Sequence, residues 1–456
     1  ASVTPFPNLP ESPVNSRRVL SLWWPLASSW LLMGVEMPML AVAMTRMPGG
    51  EPHLAALGAL VYPLSVLIEA PIIMLLAAST ALVRNLDVHE QLRRFAHISA
   101  AVLTVVHMLV AFTSAFDFIA LDLIGVPKAI VEPGRIGMQI MTPWTWAIAY
   151  RRFQQGVLIR CEQSRLVVYG TAIRLLANVL VLAVGLAVGT WSGIVVGTIG
   201  IGCGVIAEAI WAGWCFHRFA KPKLREQQLT RLQLNPQHIE KPLLWRAFAA
   251  FYIPLAFTPL ITIVIQPIGS WAMSKMANPL MSLAAWPAVY GLVFLTRTAG
   301  YAFNEVVVAL AGKPGGHRAL RRCGYGIGAV ATVVLLVLAL TPLGEWWFGT
   351  ITGLSPELTA LASTSLLFAV LMPGYAVAQN YHQGVLVHNQ RTRAITEAVV
   401  LYLVICWICL VVGVEFLQHV PGIQVALGSF TVAGLAQTAW LLLRRQGPPR
   451  SESAAG

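Results

Sequence analysis

Twelve times along this chain an apolar run of about 20 residues or more passes before a short polar or basic segment interrupts it. A helix needs roughly that length to cross the ~30 Å hydrocarbon core of a bilayer, and inside hydrocarbon only helices and closed barrels satisfy every backbone polar group. The runs lie near 19–45, 54–83, 95–121, 134–152, 166–189 and 193–217, then 243–273, 281–312, 323–349, 358–382, 394–416 and 421–443. Hydrophobic residues make up 57% of the 456 and charged residues 11%, against about 25% charged in soluble domains. Water is therefore not the solvent for most of the chain, and the expectation is an all-α polytopic membrane protein with twelve transmembrane helices.

A net charge of +12 would suggest nucleic acid as the partner of a soluble protein. Here the positions of the cations give it another meaning. Only Arg46, Lys128, Arg135 and Lys275 fall on one side of the twelve-span scheme, and Arg174 and Arg297 fall inside spans. The remaining 25 of the 31 Lys and Arg residues collect on the other side. Cytoplasmic loops carry such an excess, so both termini are expected in the cytoplasm of a plasma (inner) membrane. The lipid bilayer replaces nucleic acid as the large partner. The first run is expected to act as the insertion signal itself, without a cleavable leader.

The sequence also aligns with itself at a shift of 228 or 229 residues. Ala43–Met47 (AMTRM) meets Ala272–Met276 (AMSKM), Pro25 and Pro38 meet Pro254 and Pro267, and Leu92–Arg94 meets Leu320–Arg322. QGVL recurs at Gln155–Leu158 and Gln383–Leu386, with Arg165 matching Arg393. The expected layout is a cytoplasmic segment 1–18, a six-helix bundle 19–217, a cytoplasmic linker 218–242, a second six-helix bundle 243–443 and a tail 444–456. An even number of spans per half inserts both halves the same way up, related by a pseudo-twofold axis along the membrane normal. Transporters of this parallel-repeat plan hold their substrate near the midplane between the halves.

Ionisable residues within spans are the functional candidates, because each costs about 2.5–3.5 kcal/mol to insert and so faces a bundle interior or a wet cavity. Glu36 lies just before Pro38 in the first span, and the matching site in the seventh reads Gln266–Pro267. A polar residue beside a proline in both halves suggests paired hinge and binding elements. Glu69 and Arg297 occupy corresponding depths in the second and eighth spans, as a buried ion pair or as separate cavity groups. Arg297, Tyr301 and Asn304 share one helix face, a cation, a hydroxyl and an amide suited to an oxygen-rich anion. Arg174 is followed one turn later by Asn178. The substrate-binding candidates are thus Arg297, Arg174, Tyr301, Asn304, Asn178 and Gln266. Glu36, Glu69, Pro38, Pro267 and Glu305 are the coupling or gating candidates, with H+ or Na+ as the coupling ion. Glu208, Glu305 and Glu397 fall in the cytoplasmic parts of their helices, where long side chains reach the interface. Asp117 and Asp122 are expected at the opposite end of the third span.

No phosphate-binding GxxxxGK[ST] loop, HExxH or nucleophile elbow is present, so neither ATP hydrolysis nor other enzymatic chemistry is expected, and no cofactor is called for. The six cysteines, including the Cys406–Cys409 CxxC pair, read as small buried residues rather than a metal or redox site. Glycines in Gly193–Gly204 suit close helix packing.

The layout of two six-helix halves resembles the multidrug, oligosaccharidyl-lipid and polysaccharide (MOP) exporter superfamily, with its multidrug and toxin extrusion (MATE) members. Within it, Ser21–Ala27 (SLWWPLA), Leu54–Leu64 (LAALGALVYPL) and the surroundings of QQGVLIR resemble the progressive ankylosis proteins. The resemblance implies a MATE-like fold and export of anions such as pyrophosphate, nucleotide phosphates or citrate. The expected function is a secondary exporter of an organic or phosphate-containing anion. A cation-coupled multidrug exporter, a lipid-linked sugar flippase and a membrane scaffold or receptor docked through the central linker are the alternatives.

Overall fold

The computed structural model describes residues 14–234, 244–389, 391 and 393–445. Nearly all of them are helical. Twelve long helices follow one another: α1 Ser16–Met44, α2 Gly50–Leu82, α3 Leu86–Phe112, α4 Val131–Arg160, α5 Ser164–Val188, α6 Gly193–Thr230, α7 Trp245–Ser274, α8 Pro279–Leu310, α9 Gly316–Leu340, α10 Pro356–His388, α11 Arg393–Phe416 and α12 Gly422–Arg445. Eleven of these are long and apolar enough to cross a membrane. The twelfth, α4, has the length, with 30 residues, but carries Glu132, Arg135, Arg151, Arg152 and Arg160.

Helices at the periphery turn apolar stripes outward. Val102, Val105 and Leu109 on α3, Leu176, Leu180 and Val184 on α5, and Val330, Val333 and Val337 on α9 are all exposed at helical spacing. Such a surface suits lipid rather than water. Cys203 also lies on an exposed face, which corrects the expectation that all six cysteines are buried.

Several helices extend beyond the apolar runs that announce them. α3 begins at Leu86, where Asn85 accepts a hydrogen bond from the Val88 N–H at 2.8 Å and so caps the helix. α6 continues through a π-helical turn at Phe216–Ala220 and on to Leu234. Much of the stretch expected as a linker is therefore helix, because REQQLTRLQL consists of residues with good helix propensity and no glycine or proline. Its remainder lies outside the described residues.

In each half the fourth helix is central. α4 packs against α2, α3 and α6, and α10 against α8, α9 and α12. The repeated QGVL marks the tightest of these approaches. A methyl group on Gly156 would collide with Ser79 Oγ and Leu76 O of α2, and one on Gly384 would lie 2.7 Å from Val307 Cβ and 3.0 Å from Asn304 O of α8. Ser79 and Leu76 are the duplication equivalents of Val307 and Asn304, so the same backbone contact is built twice.

α1 and α7 are broken at equivalent points. The first segment of α1 ends at Gly34, four residues before Pro38, and that of α7 at Ile263, four before Pro267. Proline has no N–H to donate to the carbonyl four residues back, so the i→i−4 ladder stops there. The prolines expected as hinges thus coincide with real breaks.

The halves meet along α1 with α8 and α2 with α7. Trp23 Nε1 donates to Ala299 O at 2.9 Å, and Tyr252 Oη donates to Pro71 O at 2.7 Å. At the face poor in basic residues, Arg46 reaches from the first half to the carbonyls of Thr350, Ile351 and Thr352, at 2.9, 2.7 and 3.1 Å. Glu51 accepts from the Ser355 N–H at 2.7 Å. Lys275, the equivalent of Arg46, lies against Gly125, the equivalent of Gly353; both glycines have positive φ, 76° and 78°.

Candidate functional site

The polar interior of the first half centres on Glu208, in the middle of an otherwise apolar stretch of α6 and fully buried. Its Oε2 accepts from Arg151 Nη1 at 2.7 Å, and its Oε1 from Gln155 Nε2 at 2.9 Å and Thr171 Oγ1 at 3.4 Å. Arg174 Nε lies 3.8 Å from the same carboxylate, while its Nη2 lies 3.2 Å from Glu36 Oε2. Asn178 Nδ2 donates to Glu36 Oε1 at 3.3 Å. A chain of alternating charge thus runs from α4 through α6 and α5 to the broken segment of α1. Buried ions of this kind persist because each charge has a partner and added hydrogen bonds.

Glu69 is also buried but stands outside that chain. One carboxylate oxygen has no hydrogen-bond partner, and Arg151 and Arg152 are its cationic neighbours. Close by, buried His107 contacts Thr145 Oγ1 through Nδ1 and Met138 O through Nε2, each at 3.0 Å.

The second half is built differently. Arg297, deep in α8, has its guanidinium carbon 5.7 Å from the centre of the Tyr301 ring and 5.8 Å from that of Tyr375. No ion pair or hydrogen bond engages it among the described residues, and its Nε is sealed from solvent. Further aromatics enclose the spot: Trp30 of α1 lies 5.3 Å and Phe294 5.7 Å from Tyr301, centre to centre, and Tyr290 stacks on Trp286 at 4.8 Å. Gln266 Nε2 donates to Tyr290 Oη at 3.3 Å, tying the break in α7 to this cluster. Ring faces partly compensate the lost hydration of a guanidinium, yet they leave its fork of donors open to an anion.

The structure therefore sorts the candidates into two groups. Glu36, Arg174 and Asn178 come together in the first half, and Arg297, Tyr301 and Gln266 in the second. Glu69 and Arg297 do not pair, which corrects the first of the two arrangements considered for them. Arg174 is ion-paired twice, so it is not a second open cation. Asn304 donates to Asn380 O at 3.4 Å, holding α8 to α10. Glu305 is exposed, beside the Trp30 indole. Asp117, in the segment that joins α3 to α4, pairs with Arg135 near the start of α4. Sequence reasoning left Glu208, Arg151 and Gln155 out of the site candidates. A lone carboxylate in the apolar run of α6 was the available signal for the first.

The sequence matches no family model and no curated protein. Solved structures, by contrast, are similar over nearly the whole chain. An inward-facing multidrug resistance MATE family transporter of the MOP superfamily has a TM-score of 0.64 at 12% identity, covering 95% of this chain and 98% of that one. The lipid II flippase MurJ in an inward closed conformation has a TM-score of 0.65 at 12% identity, over 93% of this chain and 88% of its own. A MOP superfamily transporter from Pyrococcus furiosus, described as having a binding pocket of reverse polarity, has a TM-score of 0.59 at 14% identity, over 95% and 99%. The likeness is one of architecture, that of a polytopic helical membrane protein. The fold is the one these transporter structures share, MATE-like, with twelve long helices in two bundles. These three likenesses do not bear on the narrower resemblance to the progressive ankylosis proteins.

Proposed function

We propose that the protein is a non-enzymatic secondary transporter that exports an organic or phosphate-containing anion by alternating access. In this reading it resides in the plasma (inner) membrane with both ends of the chain cytoplasmic, and its bundles span 19–217 and 243–443 about the 218–242 linker. The observation that carries the reading is Arg297, a partly buried guanidinium with its Nε sealed from solvent and no carboxylate partner among the described residues, on the helix that packs against α1 of the other half. An unmatched charge there is costly, and an anionic cargo would supply the missing partner. Glu69, with an unpartnered carboxylate oxygen, is the group assigned to the coupling ion, H+ or Na+. The Glu36–Arg174–Glu208 chain then links the α1 break to the core of the first half.

Purified protein in liposomes, tested with labelled anions and with cationic dyes, decides the matter. Anion flux is expected without dye movement. Arg297→Ala removes a charge-assisted interaction of about 1.5–3 kcal/mol, which weakens apparent affinity roughly tenfold to a hundredfold. Arg297→Lys recovers part of it, since the charge returns without the planar fork. Dye movement abolished by Glu36→Gln would favour a cation-coupled multidrug exporter instead. Lipid-linked sugar movement would favour a flippase, and no flux of any solute a scaffold or receptor.

A further inference from the structure

The proposed anion site admits a narrower statement about its cargo. Among the described residues, the interior Arg and Glu side chains of the first half balance in number, Arg151, Arg152 and Arg174 against Glu36, Glu69 and Glu208, and the close pairs among them lie at 2.7 and 3.2 Å. Among the described residues deep within the second bundle, Arg297 is the cation without an ion pair, and what surrounds it is aromatic: Tyr301, Tyr375, Trp30 and Phe294. Eight residues along the same helix stripe, Glu305 adds negative charge rather than more positive. In a medium of low dielectric, one cation neutralises one anionic charge, and every further charge on the cargo is buried unpaired. Ring faces without additional Lys or Arg suit a flat apolar body.

Resting on the anion reading above, we infer that the cargo is an aromatic monoanion, a carboxylate or sulfonate whose head meets Arg297 and whose ring lies among Tyr301, Tyr375 and Trp30. Polyanions such as pyrophosphate and citrate, which the progressive ankylosis resemblance implies, are then poor ligands. They would bring two or more uncompensated charges to a site with one cation and a carboxylate on the same stripe.

Calorimetric titration of the purified full chain tests this with four probes: naphthalene-2-sulfonate, 4-hydroxybenzoate, pyrophosphate and citrate, with 2-naphthalenemethanol as the uncharged control. The two aromatic monoanions are expected to bind saturably and at least tenfold more tightly than either polyanion. Arg297→Gln should cost them at least tenfold while leaving binding of the alcohol unchanged. Tyr301→Leu, which keeps the volume of an apolar side chain, should weaken both monoanions severalfold. Tighter binding of pyrophosphate or citrate that is lost in Arg297→Gln overturns this inference and leaves the anion reading standing. Anion binding that is indifferent to Arg297→Gln, in a variant whose melting temperature matches that of the parent, overturns both.

Discussion

Trp23 and Tyr252 perform one task from opposite halves. The two residues are equivalents under the 229-residue shift, and their acceptors, Ala299 O and Pro71 O, are equivalents under the 228-residue shift. Each side chain crosses the seam and donates to the second helix of the other half. The contact is thus self-complementary, as at the interface of a twofold dimer, although it lies within one chain. An indole in one half and a phenol in the other make the same bond.

These two bonds should contribute similar and independent amounts to the cohesion of the seam. Tyr252→Phe and Trp23→Phe each remove a neutral hydrogen bond, worth about 1 kcal/mol. The sites share no partner, so the double variant should lose the sum within about 0.5 kcal/mol. Denaturation of the three variants in detergent reads this directly. A double variant no weaker than either single one would show that the bonds do not act separately.

The glycines of the repeated QGVL give a sharper comparison. Gly156→Ala drives a methyl to 1.9 Å from a hydroxyl and 2.3 Å from a backbone carbonyl of α2, whereas Gly384→Ala comes no nearer than 2.7 Å to Val307 and 3.0 Å to a carbonyl of α8. Overpacking of this kind costs about 1–3 kcal/mol. The first variant should fall toward the upper end, with Gly384→Ala milder, and melting temperatures should rank them in that order. The reverse order would contradict the close approach described for α2 and α4.

Arg151 and Glu208 form the tightest ion pair of the buried chain, at 2.7 Å with both side chains almost wholly enclosed. Arg151→Met strands a carboxylate that keeps only Arg174, Gln155 and Thr171, and should cost about 3–5 kcal/mol. Removing Glu208 as well, as Glu208→Leu, should return much of that loss, because no unpaired carboxylate remains. Folded yield and thermal stability of the single and double variants measure the coupling. Equal damage in both would mean that the pair is not the source of the effect.

The fold was legible in the sequence for a plain physical reason: a bilayer demands long apolar helices and sorts basic residues by side, and both marks survive without any knowledge of packing. The repeat at Pro38 and Pro267 likewise pointed to the places where α1 and α7 break. Within the candidate site the reading went less far. Arg151 was counted among the charges of a cytoplasmic loop, since it ends its apolar run, and Glu208 was read as reaching the interface, since it falls in the cytoplasmic part of its own. Yet α4 continues to Arg160 and α6 to Leu234, so positions that look terminal by hydropathy lie inside the bundle. Apolar runs report where lipid touches a helix, and an inward-facing stripe is free to carry charge beyond them. The partners of Arg174 could not be read either, because Glu36 and Glu208 lie far from it along the chain and on other helices.

The last prediction concerns Arg46, whose side chain holds the two halves together at the face poor in basic residues. Its guanidinium donates to three successive carbonyls at the end of the π-helical segment Trp346–Thr352, where Gly353 turns the chain away. Those carbonyls lack helical partners, and a cation at the end of a helical segment also complements its dipole. Any motion that parts the halves at this face has to break these bonds, whereas Lys275 on the other side of the axis brings a single ammonium to its glycine. Arg46→Ala should therefore remove about 1.5–3 kcal/mol from the closed arrangement, raising the population open at this face roughly tenfold to a hundredfold. Arg46→Lys should recover part, because one ammonium cannot span three acceptors. Spin labels on cysteines at Asp122 and Glu357, both exposed and in opposite halves, report the separation by pulsed electron paramagnetic resonance once Cys203 has been replaced by serine. The parent should give mainly the shorter distance, and Arg46→Ala a new longer component; identical distributions would remove Arg46 from control of this face.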